Sequence, residues 1–351
     1  MSETVPAWTN EQMTAIFPPP EIPEGHFSRL CPGAWAPHPE EKLRELAWLM
    51  RDSREKRAKR RRTPAMPSGY VYLGQFIAHD LIRDRRSLRE TSAEAEETIN
   101  YRTPRLDLDH LFGKNGEDFP GLYESDGRLC LGLTKESVLE DGRILPSTVD
   151  DLPRNPDGSA RVIDPRNDEN LIVAQIHVLM AKFYNGVLTL LRRKPELSAG
   201  PATKSLPRQA RRWVMWHYQW LILHDFLPRF IRSEALDGIS RNRLRLFPRN
   251  YTPSDYPVAL PVEFAGAAYR FGHSMIQSQY GLNLEIGGIA ASELIAMTQH
   301  GGRIVPSHQL CQRVMSWTGT STSKDRTRSS TGEKISTPLS LRSFMDCLRR
   351  A

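Results

Sequence analysis

Apolar residues in this chain recur at intervals of three and four far more often than at alternate positions, which is the periodicity of helices that bury one face. Residues 67–84, PSGYVYLGQFIAHDLIRD, place Tyr70, Leu73, Phe76, Ile77 and Leu81 on one stripe after a Pro-Ser start, predicting a buried helix. Residues 168–193 begin acidic, end basic before Pro195 and are heavily apolar between, predicting a long buried helix. Residues 38–53, HPEEKLRELAWLMRDS, space Leu43, Leu46, Trp48 and Leu49 as an amphipathic helix does. A Trp- and Leu-rich helix is predicted over 207–230, with Pro228 ending or kinking it. Another is predicted over 262–277, where Ala265, Gly266, Ala267 and Ala268 let a second body approach closely. Runs of period two are scarce, so the expected fold is all-α, mainly helical, with long loops and little β structure.

Between these helices the chain is punctuated. The first forty residues are rich in proline (PPPEIPEG, CPGAWAPHP) and predict an extended N-terminal arm over 1–40. Residues 101–133 carry turn chemistry in TPRLDLDHLFG, NGED and SDG. Near the end, SWTGTSTSKDRTRSSTGEKIST is polar and poor in helix formers, a composition that buries little.

Composition narrows the function classes. At 39% hydrophobic and 25% charged, the 351 residues fit a soluble globular protein. No apolar run approaches the eighteen or so residues of a membrane span, and MSETVPAWTNEQ lacks the order of a secretory signal, so a cytoplasmic location is expected. Cys31, Cys130, Cys311 and Cys347 are scattered without a C-x-x-C pair, which indicates neither zinc nor a disulfide framework. The net charge of +7 is densest at 54–62, REKRAKRRR; without interleaved aromatics this reads as a solvated face, and no nucleic-acid partner is expected.

Three segments carry candidate chemistry. In GQFIAHD, Gln75 and His79 lie one turn apart on one helical face, two polar groups able to converge on one cavity. In DPRNDEN, Asp168 and Glu169 suit a helix N-terminus, but Arg166 is a cation where the dipole disfavours one, which implies an anionic or electron-rich partner. In YRFGHS, His273 follows a glycine that leaves room for a flat macrocycle, as an axial ligand requires.

Together and in this order, GQFIAHD, DPRNDEN and YRFGHS resemble the animal-type haem peroxidase family, over roughly residues 25 to 285; LDLDHLFG and LYESDGRLCLG resemble the segment between its first two motifs. The resemblance implies a haem peroxidase-like domain over 41–290 and an atypical region over 291–351, for which a truncated or frameshifted reading is one explanation. It makes His79 the distal histidine, Gln75 its pocket companion, Arg166 the distal arginine and His273 the axial ligand of haem iron. Glu169 falls on the haem-linking glutamate, and Arg270 where an arginine meets a haem propionate. The implied cofactor is haem b, with a covalent link through Glu169 left open; Ala78 stands where many members carry a second linking carboxylate. The implied partners are hydrogen peroxide and a small electron donor, a halide or an organic molecule. Asp80 matches a family calcium ligand, but the rest of that loop is not visible, so calcium is not expected.

Competing readings remain. A fatty-acid oxygenase of the same superfamily needs a tyrosine three residues before the axial histidine, where this chain has Arg270; Tyr269 is about 100° off that face. The family's later asparagine and arginine-glycine-arginine signature are missing, which supports a degenerate haem-binding protein as the other alternative. A metal-dependent hydrolase built on His79-Asp80 with His110, His177, His217 or His224 lacks a spacing such as H-E-x-x-H.

Overall fold

The computed structural model describes residues 25–27, 39–50, 67–84, 98–113, 121–133, 137–138, 144–145, 151–197, 206–242, 259–280 and 289–296. Nearly all of the arm, the basic run 54–62 and the polar tail beyond residue 296 lie outside them, as do Cys31, Cys311 and Cys347.

The described chain is mainly helical: α1 Glu40–Met50, α2 Gly69–Leu81, α3 Asp109–Phe112, α4 Leu171–Arg193, α5 Leu206–Leu221, α6 Leu227–Phe230, α7 Ser233–Asn242, α8 Val262–Gly266 and α9 Ala291–Ala296. Strand is confined to three antiparallel two-residue ladders, Gly25–His26 with Ile99–Asn100, Ser137–Val138 with Ile144–Leu145, and Gln279–Tyr280 with Ile289–Ala290.

Helix α4 forms the centre. By length and composition it could cross a membrane, contrary to the sequence expectation, but 67% of its most apolar window is buried within the fold. Its apolarity is that of a core helix: Val173, Tyr184, Leu188 and Leu191 join the main core with residues of α2 and α5, and Val178 packs on another side with Leu152 and Val162. The start is set by Asn170, whose side-chain oxygen accepts the Val173 N–H at 3.0 Å. The expected acidic cap is not used; Asp168 instead pairs with Arg154 at 2.9 Å.

Helix α2 inserts into the same core. Phe76 is fully buried, its ring meeting His110 edge-on at 4.5 Å and Tyr218 at 6.3 Å. Gly74 has a packing reason: a Cβ there would stand 3.3 Å from the Phe226 ring. The amphipathic character of α1 is also seen, but Leu43, Leu46, Trp48 and Leu49 are all more than half exposed.

Pro228 does not end its helix. Proline has no N–H and its ring crowds the carbonyl four residues back, which is His224, and His224 lies in a π turn, Ile222–Phe226, joining α5 to α6. The chain thus reaches Phe230, with Asp225 turned inward to accept the Tyr70 hydroxyl at 2.7 Å. The predicted helix over 262–277 is corrected more substantially. It is the short α8, a break at Ala267, then a 3-10 segment, Ala268–Met275, with no buried residue. Of the small residues only Ala265 is buried, while Gly266, Ala267 and Ala268 are exposed, and burial is what holds a short helix together.

Candidate functional site

The site is assembled where the C-terminal half of α2 meets a 3-10 turn, Pro165–Asp168, at the mouth of α4. The turn is fixed from within: the Asp164 carboxylate accepts the Arg166 N–H at 3.1 Å, and the Asp164 carbonyl accepts the Asn167 N–H at 2.9 Å.

Gln75 and His79 converge as their spacing predicted, and Glu169 is where they meet. Gln75 Nε2 donates to Glu169 Oε2 at 3.0 Å, while Gln75 Oε1 accepts from Asn170 Nδ2 at 3.0 Å, so both ends of the amide are oriented. His79 is 5% exposed, and its Nε2 stands 3.8 Å from the same Glu169 oxygen. Burial first, then the Arg166 charge, push the His79 imidazole down to about 3. It is therefore neutral near pH 7, and its contact with Glu169 is not an ion pair. Nδ1 lies 2.9 Å from Asn167 Oδ1; a carbonyl oxygen only accepts, so Nδ1 carries the proton and Nε2 the lone pair.

Arg166 is next to His79 and finds the anionic partner the sequence required. Its Nε and Nη2 bond to Asp164 at 3.0 and 2.7 Å, and Nη1 and Nη2 donate to the carbonyls of Ile82 and His79 at 2.8 and 3.2 Å. The cation thus closes the C-terminus of α2, where the dipole favours it. Arg102 joins from the other side, donating to Asp164 at 2.5 Å and to the His79 carbonyl at 3.1 Å. Burial would raise the Asp164 carboxyl, but Arg166 and Arg102 outweigh it and hold the group well below the usual carboxylate range.

Beneath His79 lies a second buried cluster. Asp80 Oδ1 accepts from His110 Nδ1 at 2.9 Å, and ligand atoms of Asp80, Asp109 and His110 all fall within 4.8 Å of one another. Leu106 and Leu108 are in the left-handed region, φ 57° and 59°, conformations a leucine adopts only when its surroundings impose them. Burial pushes both carboxyls up and the His110 imidazole down to about 3. Three donors, one of them nitrogen, fall short of the six to eight oxygens calcium takes. His217 and His224 lie apart from it, exposed on the α5 side and set against Trp213 and Trp220.

His273 is exposed on the 3-10 segment, its Nδ1 2.9 Å from the Arg270 carbonyl, so that Nδ1 carries the proton and Nε2 the lone pair. Arg270 turns its Nε to the Ala265 carbonyl at 3.1 Å. The segment is attached to α2 through Tyr269, whose hydroxyl donates to the Gly74 carbonyl at 3.1 Å. A Cβ on Gly272 would meet nothing within 4 Å, leaving open space beside His273. As donor chemistry, an imidazole whose Nδ1 is tied to a backbone carbonyl and whose Nε2 meets no partner among the described residues is of the type that serves as an axial ligand of haem.

Sequence reasoning missed several participants. Asn167, fully buried, joins His79 to His177 of α4, its Nδ2 3.1 Å from His177 Nδ1. Asn170, Arg102 and Asp164 were also without assigned roles. Asn167 and Asp164 lay in plain view inside DPRNDEN, but only the fold brings Arg102 and His177 to them.

The domain is mainly helical and gathers His79, Gln75, Arg166 and Glu169 around the C-terminal half of α2. The family model described as animal haem peroxidase matches residues 70–300, and the chain belongs to that family, which implies a haem cofactor. It is 31% identical over 131 residues to chorion peroxidase of Drosophila melanogaster, covering 36% of this chain and 15% of that protein. It is 22% identical over 263 residues to heme peroxidase 2 of Caenorhabditis elegans, covering 60% of this chain and 35% of that one. Among solved structures it is similar to peroxidase A from Dictyostelium discoideum, with TM-score 0.44, 18% identity and coverage of 72% of this chain and 54% of that one. It is also similar to a fatty acid alpha-dioxygenase of Arabidopsis thaliana, with TM-score 0.44, 16% identity, and 71% and 45% coverage. The chain thus spans well under two thirds of each of these relatives' lengths.

Proposed function

We propose that this chain is a haem-dependent peroxidase that reduces hydrogen peroxide and oxidises a halide or small organic donor. The observation that carries the reading is the neutral, buried His79 with an oriented Nε2 lone pair facing Gln75 and Glu169. His273 would hold the iron, Arg270 is assigned to a propionate, and Glu169, whose side chain is 45% exposed, is the residue through which any covalent link would run. Haem, when bound, supplies the iron at which peroxide binds and to which its oxidising equivalents pass.

The chain's own residues then handle protons and charge. His79 Nε2 takes a proton from one peroxide oxygen and returns it to the other, which requires the imidazole to start neutral. Gln75, fixed by Glu169 and Asn170, orients polar groups at that face. Arg166 contributes a permanent positive charge as negative charge develops on the departing oxygen, and the same charge adds to burial in keeping His79 deprotonated.

The test is an absorption spectrum of haem-supplemented protein before and after peroxide, with turnover of a phenolic donor. His79→Ala is expected to keep its Soret band and lose about 10²–10⁴-fold in turnover. His273→Ala is expected to lose or weaken haem binding; parent-like rates in both variants would refute the assignment. The exposed His273 supports a second reading, a haem-binding chain without catalysis, which predicts a Soret band with no donor oxidation in the parent.

A further inference from the structure

We propose that Asn167 is the positioning residue for His79, holding it in the Nδ1–H form, and that His177 sets the orientation of the Asn167 amide. The inference rests on the peroxidase reading only for its catalytic consequence; the tautomer itself is a property of the chain.

The geometry runs in one line through the core. His79 sits on α2, Asn167 on the 3-10 turn and His177 in the first half of α4, all 5% exposed or less. Asn167 Oδ1 is 2.9 Å from His79 Nδ1, and Asn167 Nδ2 is 3.1 Å from His177 Nδ1. An amide has one accepting end and one donating end. If the donating end faces His177, the accepting end must face His79, and His79 then presents its lone pair at Nε2. The reverse orientation would place the His79 proton on Nε2, pointing toward Glu169, and a histidine in that form cannot begin by accepting a proton there. His177 is itself neutral, pushed down to about 3 by burial and then by His110, so its Nδ1 can serve as the acceptor that selects the amide orientation. The backbone leaves Asn167 little freedom, because its N–H is held by the Asp164 carbonyl at 2.9 Å.

The other groups bearing on the His79 titration are Arg166, Asp164 and Glu169 around the turn, Arg102 on the His79 carbonyl, and His110 below. None of them bonds the Asn167 side chain, whose hydrogen-bond partners are His79 and His177. The positioning is therefore tested by changing only that side chain.

The experiment uses the full chain labelled with [15N]histidine, both as purified and loaded with haem in its diamagnetic ferrous carbonyl form. The 15N shifts of His79 distinguish a protonated from an unprotonated ring nitrogen. In the parent, Nδ1 is expected to be the protonated nitrogen. In Asn167→Leu the Nε2–H form should become populated, with at least a tenfold loss of kcat, as for other residues that orient a reacting side chain, and an unchanged Soret band. Asn167→Asp, nearly isosteric and accepting only, should keep the Nδ1–H form and move the acidic limb of the pH–rate profile upward, since a carboxylate favours the imidazolium. His177→Phe should mix the two forms as Asn167→Leu does. Nε2 protonated in the parent, or Nδ1–H unchanged in both Asn167→Leu and His177→Phe, overturns the inference. Absence of haem binding or turnover in the parent would defeat the peroxidase reading, while leaving the tautomer result to stand by itself.

Discussion

Two short 3-10 segments carry residues assigned to the site, and they are built in opposite ways. Pro165–Asp168 is held by side chains reaching in from three places: Asp164 grips Arg166 and Arg102, Asn167 ties α2 to α4, and Asp168 pairs with Arg154. Ala268–Met275 has no buried residue, and the side-chain bonds of Arg270, His273 and Ser274 go to carbonyls of their own neighbourhood. The first segment is organised before any ligand arrives. The second is organised chiefly by local backbone, so its fixed relation to the rest comes through Tyr269, through the Phe271 ring edge-on to Phe230 at 5.1 Å and, on the proposed reading, through the group His273 would hold. On the proposed reading, the side that would handle protons is fixed by protein, while the side that would bind iron relies on its partner.

Substitutions of graded severity sharpen this contrast. The largest stability effect is expected for Asp164→Ala, which leaves the buried Arg102 and the turn without their shared anion and should cost about 3–5 kcal/mol in denaturant unfolding. A loss below about 1 kcal/mol would mean the turn is not organised as described.

Acid should come next. His79, His110 and His177 sit at about 3 in the folded chain against about 6.5 when unfolded. Below pH 6.5 the unfolded chain takes up protons that the native one excludes, so stability falls toward pH 3, by up to about 1.4 kcal/mol per pH unit for each imidazole. Asp80 and Asp109 oppose this, because their raised carboxyls hold protons the unfolded chain has released. Asp109→Asn removes one opposing group, and denaturant midpoints measured between pH 4 and 6.5 should then fall more steeply than in the parent, over a range bounded by these values.

Asn170→Ala, which deletes the α4 cap, should cost about 1 kcal/mol. Phe271→Ala, on the exposed segment, loses one edge-on ring contact with Phe230 and should cost about 0.5–1 kcal/mol. A larger loss there, read from thermal melting, would place Ala268–Met275 in the folded core and remove the contrast.

Much of this was legible in the sequence. Helices α2 and α4 announce themselves because each buries a continuous apolar stripe, and burial is what periodicity records. Gln75 and His79 were paired correctly since helical spacing alone puts them on one face. Residues 262–277 misled because small residues permit close packing without specifying a neighbour, whereas Pro228, read as an end or a kink, follows the π turn that carries the helix on to Phe230. Asn167 and His177 were invisible as a pair: their contact passes through a turn, and no local pattern encodes it. Arg102 was hidden in a loop whose shape depends on two leucines held at positive φ.

The His79 carbonyl accepts from two guanidinium groups at once, and both are clamped on one carboxylate. A helix end tied in this manner cannot unwind or tilt unless the Pro165–Asp168 turn travels with it. The imidazole and its companions on that turn thus behave as one stiff unit, and thermal motion will displace them together while preserving the distances among them.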